Sequence, residues 1–86
     1  MRLEQVRCTD ISPDPRSGGY RPHEIEPLAA NIREYGVLRP LLLRATATGY
    51  VIVHGQRRFQ AALMAGLDAI PAWLVQEFEQ KDGVAA

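Results

Sequence analysis

The sequence has little of several residue types, and each scarcity excludes a class of protein. The single cysteine, Cys8, excludes a disulfide framework and any metal site built from several cysteines. No apolar run approaches the ~18 residues that a transmembrane helix needs. Residues 1–4, Met-Arg-Leu-Glu, do not begin the apolar segment of a signal peptide. We therefore expect a cytoplasmic protein.

An excess of charge of one sign is also missing, since ten basic and ten acidic residues cancel. We therefore expect DNA contact by this chain alone to be weak, because nonspecific binding depends on net positive charge. The charges are unevenly distributed, however: residues 35–67 contain four arginines and no acid. Arginine binds phosphate through two parallel hydrogen bonds, so the middle third of the chain is a candidate anion site.

The 86 residues predict one domain, and 22 of them are Val, Ile, Leu or Phe, enough to form a core. Loose alternation predicts a first strand over residues 3–11, and residues 12–19 are a Pro- and Gly-rich loop. Apolar residues spaced at i, i+3, i+4 and i+7 from Ile25 predict a helix that ends before Gly36. Because proline lacks an N–H group, Pro27 places the start of this helix near Glu24.

The second half of the chain predicts three more strands and one more helix. Residues 41–44 and 50–53 form a hairpin, residues 56–65 a helix and residues 70–75 a last strand. The order is β-α-β-β-α-β, an α+β fold in which two helices pack on a small mixed sheet. We expect the domain to span residues 1–76, followed by a polar, frayed tail over residues 77–86.

The most informative stretch is Val-His-Gly-Gln-Arg-Arg-Phe, residues 53–59, where a strand ends and a helix begins. Arg57 and Arg58 lie in the first turn of that helix, where the helix dipole disfavours cations. A phosphate would compensate, because backbone N–H groups and both guanidinium groups can converge on its oxygens, and Gly55 would allow close approach. The alternative is a structural role, in which the arginines pair with acids such as Asp14 or Glu79.

Two segments of the sequence resemble the ParB family. IVHGQRRFQAALMAGLDAIPAWLV resembles the family's Gly-Glu-Arg-Arg box and the segment after it, and LAANIREYGVLRPLLLR, preceded by ISPDPR, resembles its first box. The resemblance covers about residues 9–76. It implies the ParB/sulfiredoxin fold and a role in DNA partition or regulation. It also implies a bound nucleotide, CTP in most partition proteins and ATP in sulfiredoxin, with its phosphates at the Gly-Glu-Arg-Arg turn.

Carried over by position, the resemblance places Gly55, Arg57 and Arg58 in the phosphate-binding turn, with Gln56 where the family has glutamate. Arg16 resembles the loop arginine that faces the nucleotide, and Arg21 is the alternative for that role. His54 adjoins the turn, where it is a candidate general base or an ordinary strand-end histidine. Gln60 stands where many members have a third arginine, and Arg39 stands where glutamine is usual.

Other departures from the family keep alternatives open. The resemblance stops before the family's next helix, whose Glu-Asn pair holds Mg²⁺, and before its DNA-reading and dimerisation regions. The chain is then either a fragment or a stand-alone domain. Mg²⁺ is a further candidate cofactor, but the sequence identifies no ligands for it, since Glu24, Glu26 and Glu34 are better explained as a solvated helix face. The rival functions are a small nuclease or NTPase, and a protein-interaction or self-association module with a structural turn. Cys8 is interpreted as a small buried hydrophobe.

Overall fold

A computed structural model describes residues 1–13, 21–37 and 39–75 of the chain. It confirms the α+β class, with two helices and a five-stranded mixed sheet. The elements in chain order are β1 (Arg2–Arg7), β2 (Ile11–Ser12), α1 (Pro22–Tyr35), β3 (Leu41–Ala45), β4 (Tyr50–His54), α2 (Gln56–Met64) and β5 (Ala69–Val75). None of the described helices is long and apolar enough to cross a membrane. The predicted tail over residues 77–86 lies outside the described residues.

The strands lie side by side in the order β1-β5-β3-β4-β2. The predicted hairpin of β3 and β4 is confirmed as an antiparallel pair. β3 also pairs in parallel with β5, and β5 pairs antiparallel with β1. The sheet is therefore mixed, and its central strand, β3, has neighbours on both sides.

The single first strand predicted over residues 3–11 is wrong in one respect. The structure divides it into β1 and β2, separated by a 3₁₀ turn at Cys8–Asp10. A hydrogen bond from the N–H of Cys8 to the carbonyl oxygen of Asp68, 2.8 Å long, continues the β1–β5 register by one residue. The 3₁₀ turn then leads the chain to β2, which pairs in parallel with β4. β1 and β2 consequently lie at opposite edges of the same sheet.

This crossing requires a curled sheet. Five strands spaced ~4.8 Å apart place the two edge strands about 19 Å apart in a flat sheet. The chain from Arg7 to Ile11 spans four Cα–Cα steps of ~3.8 Å, or at most about 15 Å, and the 3₁₀ turn shortens it further. The two edges must therefore curve toward each other at this end of the sheet.

Both helices lie on one face of the sheet, and α2 lies between the sheet and α1. Phe59 and Ala62 of α2 pack with the buried side chains of the sheet. Ala61, on another side of α2, packs with Ile25 and Ile32 of α1. The small side chains of α2 let the two helices approach closely.

The predicted start of α1 is also wrong by two residues, because the helix begins at Pro22 rather than near Glu24. Pro22 occupies the first helical position, where the missing N–H costs nothing. Glu24 caps the start of the helix. Its carboxylate accepts a hydrogen bond from the N–H of Arg21 at 3.2 Å, and its own N–H donates to the carbonyl of Arg21 at 2.9 Å. Pro27 therefore lies in the second turn, where the carbonyl of His23 loses its helical donor.

We predict that Pro27→Ala stabilises the domain. Alanine restores the missing hydrogen bond and relieves a ring clash worth up to about 3 kcal/mol, while the more flexible unfolded chain offsets about 1 kcal/mol. Pro27 is exposed, so its ring gives up no core packing. Urea unfolding should show a gain of about 1 to 2 kcal/mol. An unchanged or lower free energy of unfolding would contradict the assignment of Pro27 to the helix interior.

Candidate functional site

The turn between β4 and α2 depends on the backbone of Gly55. This residue precedes α2 with φ of 109° and ψ of 22°, a left-handed conformation that favours glycine. A Cβ atom there would lie 2.6 Å from Cδ2 of Leu41 and 3.2 Å from Nη1 of Arg58. Gly55 is therefore required by its conformation and by the packing of β3 beneath it.

The two arginines of the turn have different surroundings. Arg57 is exposed, and its Nη2 donates to the carbonyl oxygen of Glu24 at 3.3 Å. Arg58 is half-buried, and its Nη1 donates to the carbonyl oxygen of Pro40 at 3.2 Å. Arg57 thus contacts the first turn of α1, whereas Arg58 ties the start of α2 to the residue before β3.

Neither guanidinium forms an ion pair with a carboxylate of the described residues. Asp14 and Glu79, the acids suggested as their structural partners, lie outside the described residues. The contacts that the structure does show are to neutral carbonyl oxygens. Both arginines therefore keep a full positive charge that these neighbours do not neutralise.

Two contacts between the helices show that α1 and α2 run in the same direction. Arg57, at the start of α2, contacts Glu24 near the start of α1, and Arg33, near the end of α1, donates to the carbonyl of Met64 at the end of α2 at 3.2 Å. The starts of both helices therefore lie at the same end of the molecule. Because a helix start carries partial positive charge, the positive ends of the two helix dipoles lie together.

Three more of the predicted residues belong to this end of the structure. Arg21 is the exposed residue immediately before α1, and the contact of Arg57 with Glu24 holds that part of α1 against α2. His54 is the exposed last residue of β4, and Gln56 is the half-buried first residue of α2. Arg16, the alternative loop arginine, lies outside the described residues.

Arg39 joins this group, although the motif did not predict it as a site residue. It is exposed and immediately precedes Pro40, whose carbonyl Arg58 binds. The sequence carried a signal for it, since arginine replaces the glutamine usual in the family. The backbone carbonyls of Glu24 and Pro40 had no such signal, because any residue supplies a carbonyl.

A polar atom of α2 is buried without a partner among the described residues. Oε1 of Gln60 is shielded from solvent and accepts no hydrogen bond from that part of the chain. Gln60 follows Arg57 by three residues, which places both side chains on neighbouring positions of the helix surface. An unsatisfied buried acceptor costs about 1–3 kcal/mol. A donor that reached Gln60 would recover this energy.

The described residues contain no group of three His, Cys, Asp or Glu side chains close enough to hold a metal ion. Cys8, as expected, belongs to the buried core. Burial, and secondly the charge of Asp68, raise the pKa of the Cys8 thiol above its ordinary value. Cys8 is therefore a packed thiol rather than a nucleophile.

The chain was compared with known sequences. The profile of the ParB N-terminal domain matches residues 1–86. The chain is 50% identical over 70 residues to the chromosome-partitioning protein Spo0J of Thermus thermophilus, over 79% of this chain and 26% of that protein. It is 36% identical over 84 residues to the Stage 0 sporulation protein J of Bacillus subtilis, over 91% and 28% of the two chains. The chain spans little more than a quarter of these curated relatives.

Solved structures of ParB proteins are also similar to this chain. ParB of Caulobacter crescentus, C-terminally truncated and complexed with CTP-γ-S, superposes with a TM-score of 0.78 at 33% identity, covering 88% of this chain and 45% of that one. The same protein complexed to the centromeric parS site gives a TM-score of 0.75 at 35% identity, covering 85% and 40%. Sulfiredoxin of Arabidopsis thaliana gives a TM-score of 0.75 at 17% identity, with 98% of both chains covered, which supports the fold alone.

We predict that Gly55→Ala costs more stability than Gly66→Ala. Both glycines have positive φ, but a Cβ at Gly66 meets nothing within 4 Å, whereas at Gly55 it meets Leu41. Left-handed backbone alone costs about 1 kcal/mol, and overpacking adds about 1–3 kcal/mol. Unfolding by urea should show losses of about 1 kcal/mol for Gly66→Ala and roughly 2 to 4 kcal/mol for Gly55→Ala. Equal losses would show that Leu41 moves aside freely.

Proposed function

The chain belongs to the ParB N-terminal domain family, and from this membership we propose that it binds a nucleoside triphosphate of the CTP type. The proposed site is the end of the molecule where α1 and α2 begin. The observation that carries the proposal is the pair Arg57 and Arg58 on aligned helix starts, with no described carboxylate neutralising either arginine. The complex of Caulobacter ParB with CTP-γ-S supports the choice of ligand.

The two arginines have different proposed roles. Arg57 is exposed and forms one long hydrogen bond to a neutral carbonyl, which a charged phosphate oxygen can replace at a gain. Arg58 is hydrogen-bonded to the carbonyl of Pro40, so it stabilises the turn and adds its positive charge to the proposed site. Backbone N–H groups in the first turn of α2 complete the proposed cradle for the phosphates.

The start of α1 forms the other side of the proposed site. Arg21 supplies a second exposed guanidinium there, and Arg16 is the further candidate by family resemblance. His54 adjoins the turn as a donor to phosphate oxygens. ATP is the alternative ligand, because the arginines and N–H groups of the proposed site would bind phosphates and would not distinguish one base from another.

Magnesium ions accompany triphosphates in many proteins, but the described residues do not fit a Mg²⁺ site of their own. Mg²⁺ prefers carboxylate oxygens near the phosphates, and the residues of the described turn are Gly55, Gln56, Arg57 and Arg58. We therefore assign binding and orientation of phosphate to this chain and no hydrolytic step. The nuclease or NTPase alternative has no observation in its favour among the described residues.

A role in DNA partition is the proposed setting. The curated relatives are named for chromosome partitioning and sporulation, and Caulobacter ParB has been solved on its centromeric parS site. The balanced charge of this chain makes strong DNA binding on its own unexpected. Contact with DNA and self-association are proposed for a larger assembly that contains this domain.

The structure offers one observation for a second candidate function, a protein-interaction module with a structural turn. The contacts of Arg57 and Arg58 with backbone carbonyls would hold α1, α2 and β3 together without any ligand. In that case the arginines would contribute to stability alone. The two candidates differ in whether removing Arg57 changes ligand binding or only folding.

We predict that CTP binds saturably and that Arg57→Ala weakens binding at least about tenfold, because a charge-assisted hydrogen bond contributes about 1.5–3 kcal/mol. Calorimetric titration with CTP, ATP and GTP, each with and without Mg²⁺, measures this. Arg44→Ala is the matched control, since Arg44 is equally exposed but lies on β3. The unfolding free energy of each variant is measured in parallel.

Two results would contradict the proposal. The first is that none of the three nucleotides binds at concentrations up to about 1 mM, which corresponds to a binding free energy of about −4 kcal/mol. The interaction module would then be the better description. Binding that Arg57→Ala leaves unchanged would place the nucleotide elsewhere on the chain. If Arg57→Ala lost stability in this second case, the arginine would have a purely structural role.

A further inference from the structure

The sheet has a face that no described element covers. Side chains alternate along a strand, so Ile70 and Leu74 of β5 are buried under the helices while Trp73 points to the opposite face. Leu3 of β1 lies directly opposite Trp73, and Leu42 of β3 is its neighbour on the other side. These three side chains therefore form one row across the sheet, on the face we call the outer face.

The outer face is strongly apolar for a surface. Leu3 is 51% exposed, Val53 of β4 49% and Trp73 40%. Leu42 is half-buried and connects Trp73 with the β4 side of the face. Single exposed apolar residues are ordinary, but a contiguous apolar patch in a soluble domain marks an interaction surface.

Among the described strands, the charged side chains at outward positions next to the patch are both arginines. Arg7 and Arg44 occupy outward positions of β1 and β3, paired in register with Ala69 and Val75 of β5. Both are exposed, and neither forms an ion pair with a carboxylate of the described residues. Glu4, the acid in the described strands, alternates to the side of the buried Val6.

The two arginines lie at diagonally opposite ends of the patch. Six residues of β5 separate their register partners, which is about 20 Å along the strand, and two strand spacings add about 10 Å across it. The separation is therefore about 22 Å. This distance equals about 15 residues of α-helix at ~1.5 Å each.

We propose that the outer face binds an acidic amphipathic helix of a partner protein. Its apolar side chains cover Trp73, Leu3 and Leu42, and its carboxylates pair with Arg7 and Arg44. A helix suits the face because about 15 helical residues match the separation of Arg7 and Arg44, which flank the apolar row. The inference is independent of the nucleotide site, which lies at the starts of α1 and α2.

A second copy of this chain is a less suitable occupant. A two-fold symmetric dimer brings the same surface of both copies together. Each outer face carries Arg7 and Arg44 and no described acid, so the facing rims would repel. The charge of the rim thus selects an acidic partner over self-association.

Trp73 is the sole tryptophan of the chain and reports on the outer face directly. The probe is a synthetic amphipathic helix of about 16 residues with leucines on one face and glutamates beside them. A matched peptide replaces each glutamate with lysine and keeps the leucines. We expect the acidic peptide to shift Trp73 emission to the blue in a saturable manner, and the lysine peptide to leave it unchanged.

Two matched variants locate the binding. Leu3→Ser and Leu63→Ser remove leucines of similar exposure, 51% and 49%, but Leu63 lies on α2 and not on the sheet. Leu3→Ser should weaken binding of the acidic peptide at least about tenfold, and Leu63→Ser should not change it. Arg44→Glu should weaken the acidic peptide and allow the lysine peptide to bind.

Three outcomes would overturn the proposal. The first is equal binding of both peptides, which would show that the apolar face acts without charge selection. The second is no shift of Trp73 emission by either peptide at concentrations up to about 1 mM. The third is a shift that depends on protein concentration alone, with a matching increase of mass in sedimentation, which would assign the face to a second copy of this chain.

Discussion

The contact between the Gly55 turn and the beginning of β3 is the constraint on which the arrangement of this domain depends. A Cβ atom at Gly55 would displace the side chain of Leu41, and Arg58 donates a hydrogen bond to the carbonyl of Pro40. Leu41 is itself fully buried in the central strand. The start of α2 is thus fixed to the middle of the sheet. The hydrogen bond from Arg57 to the carbonyl of Glu24 in turn holds α1 against the start of α2.

This linkage explains why one short motif has both structural and chemical consequences. A glycine followed by two arginines gives a left-handed turn, an anchored guanidinium and an exposed one. Arg58 ties the start of α2 to Pro40, and in the proposed site this contact would hold the neighbouring backbone N–H groups in place before a ligand binds. The exposed Arg57 remains the group best suited to respond to a ligand.

Much of the fold could be predicted from the sequence, for identifiable reasons. The β-branched run in β4 and the apolar periodicity from Ile25 to Ile32 are local signals, and both elements are present in the structure. The division of the first strand could not be predicted, because it depends on the pairing of β1 with β5 and of β2 with β4, which are distant in sequence. The predicted start of α1 differs by two residues because proline favours the first turn of a helix. Pro22 occupies that position, whereas Pro27 lies inside the helix.

The site could be predicted only in part, because its contacts also join residues that are distant in sequence. The charged and flexible positions Gly55, Arg57 and Arg58 are visible as residue types. Their acceptors are backbone carbonyls, which carry no residue identity, so the different surroundings of the two arginines appear only in three dimensions. The outer face was equally hidden, because alternation within β5 is weak in a strand whose outward residues are also apolar.

The pairing of β1 with β5 has a consequence for how the domain is made. Residues 2–7 pair with residues 69–74, so β1 finds its partner only after the rest of the described domain has been synthesised. Contacts of such sequence separation are slow to form, because a long loop must close first. The growing chain must therefore keep β1 unpaired for most of its synthesis. The charged side chains Arg2, Glu4 and Arg7 protect it against aggregation during that interval.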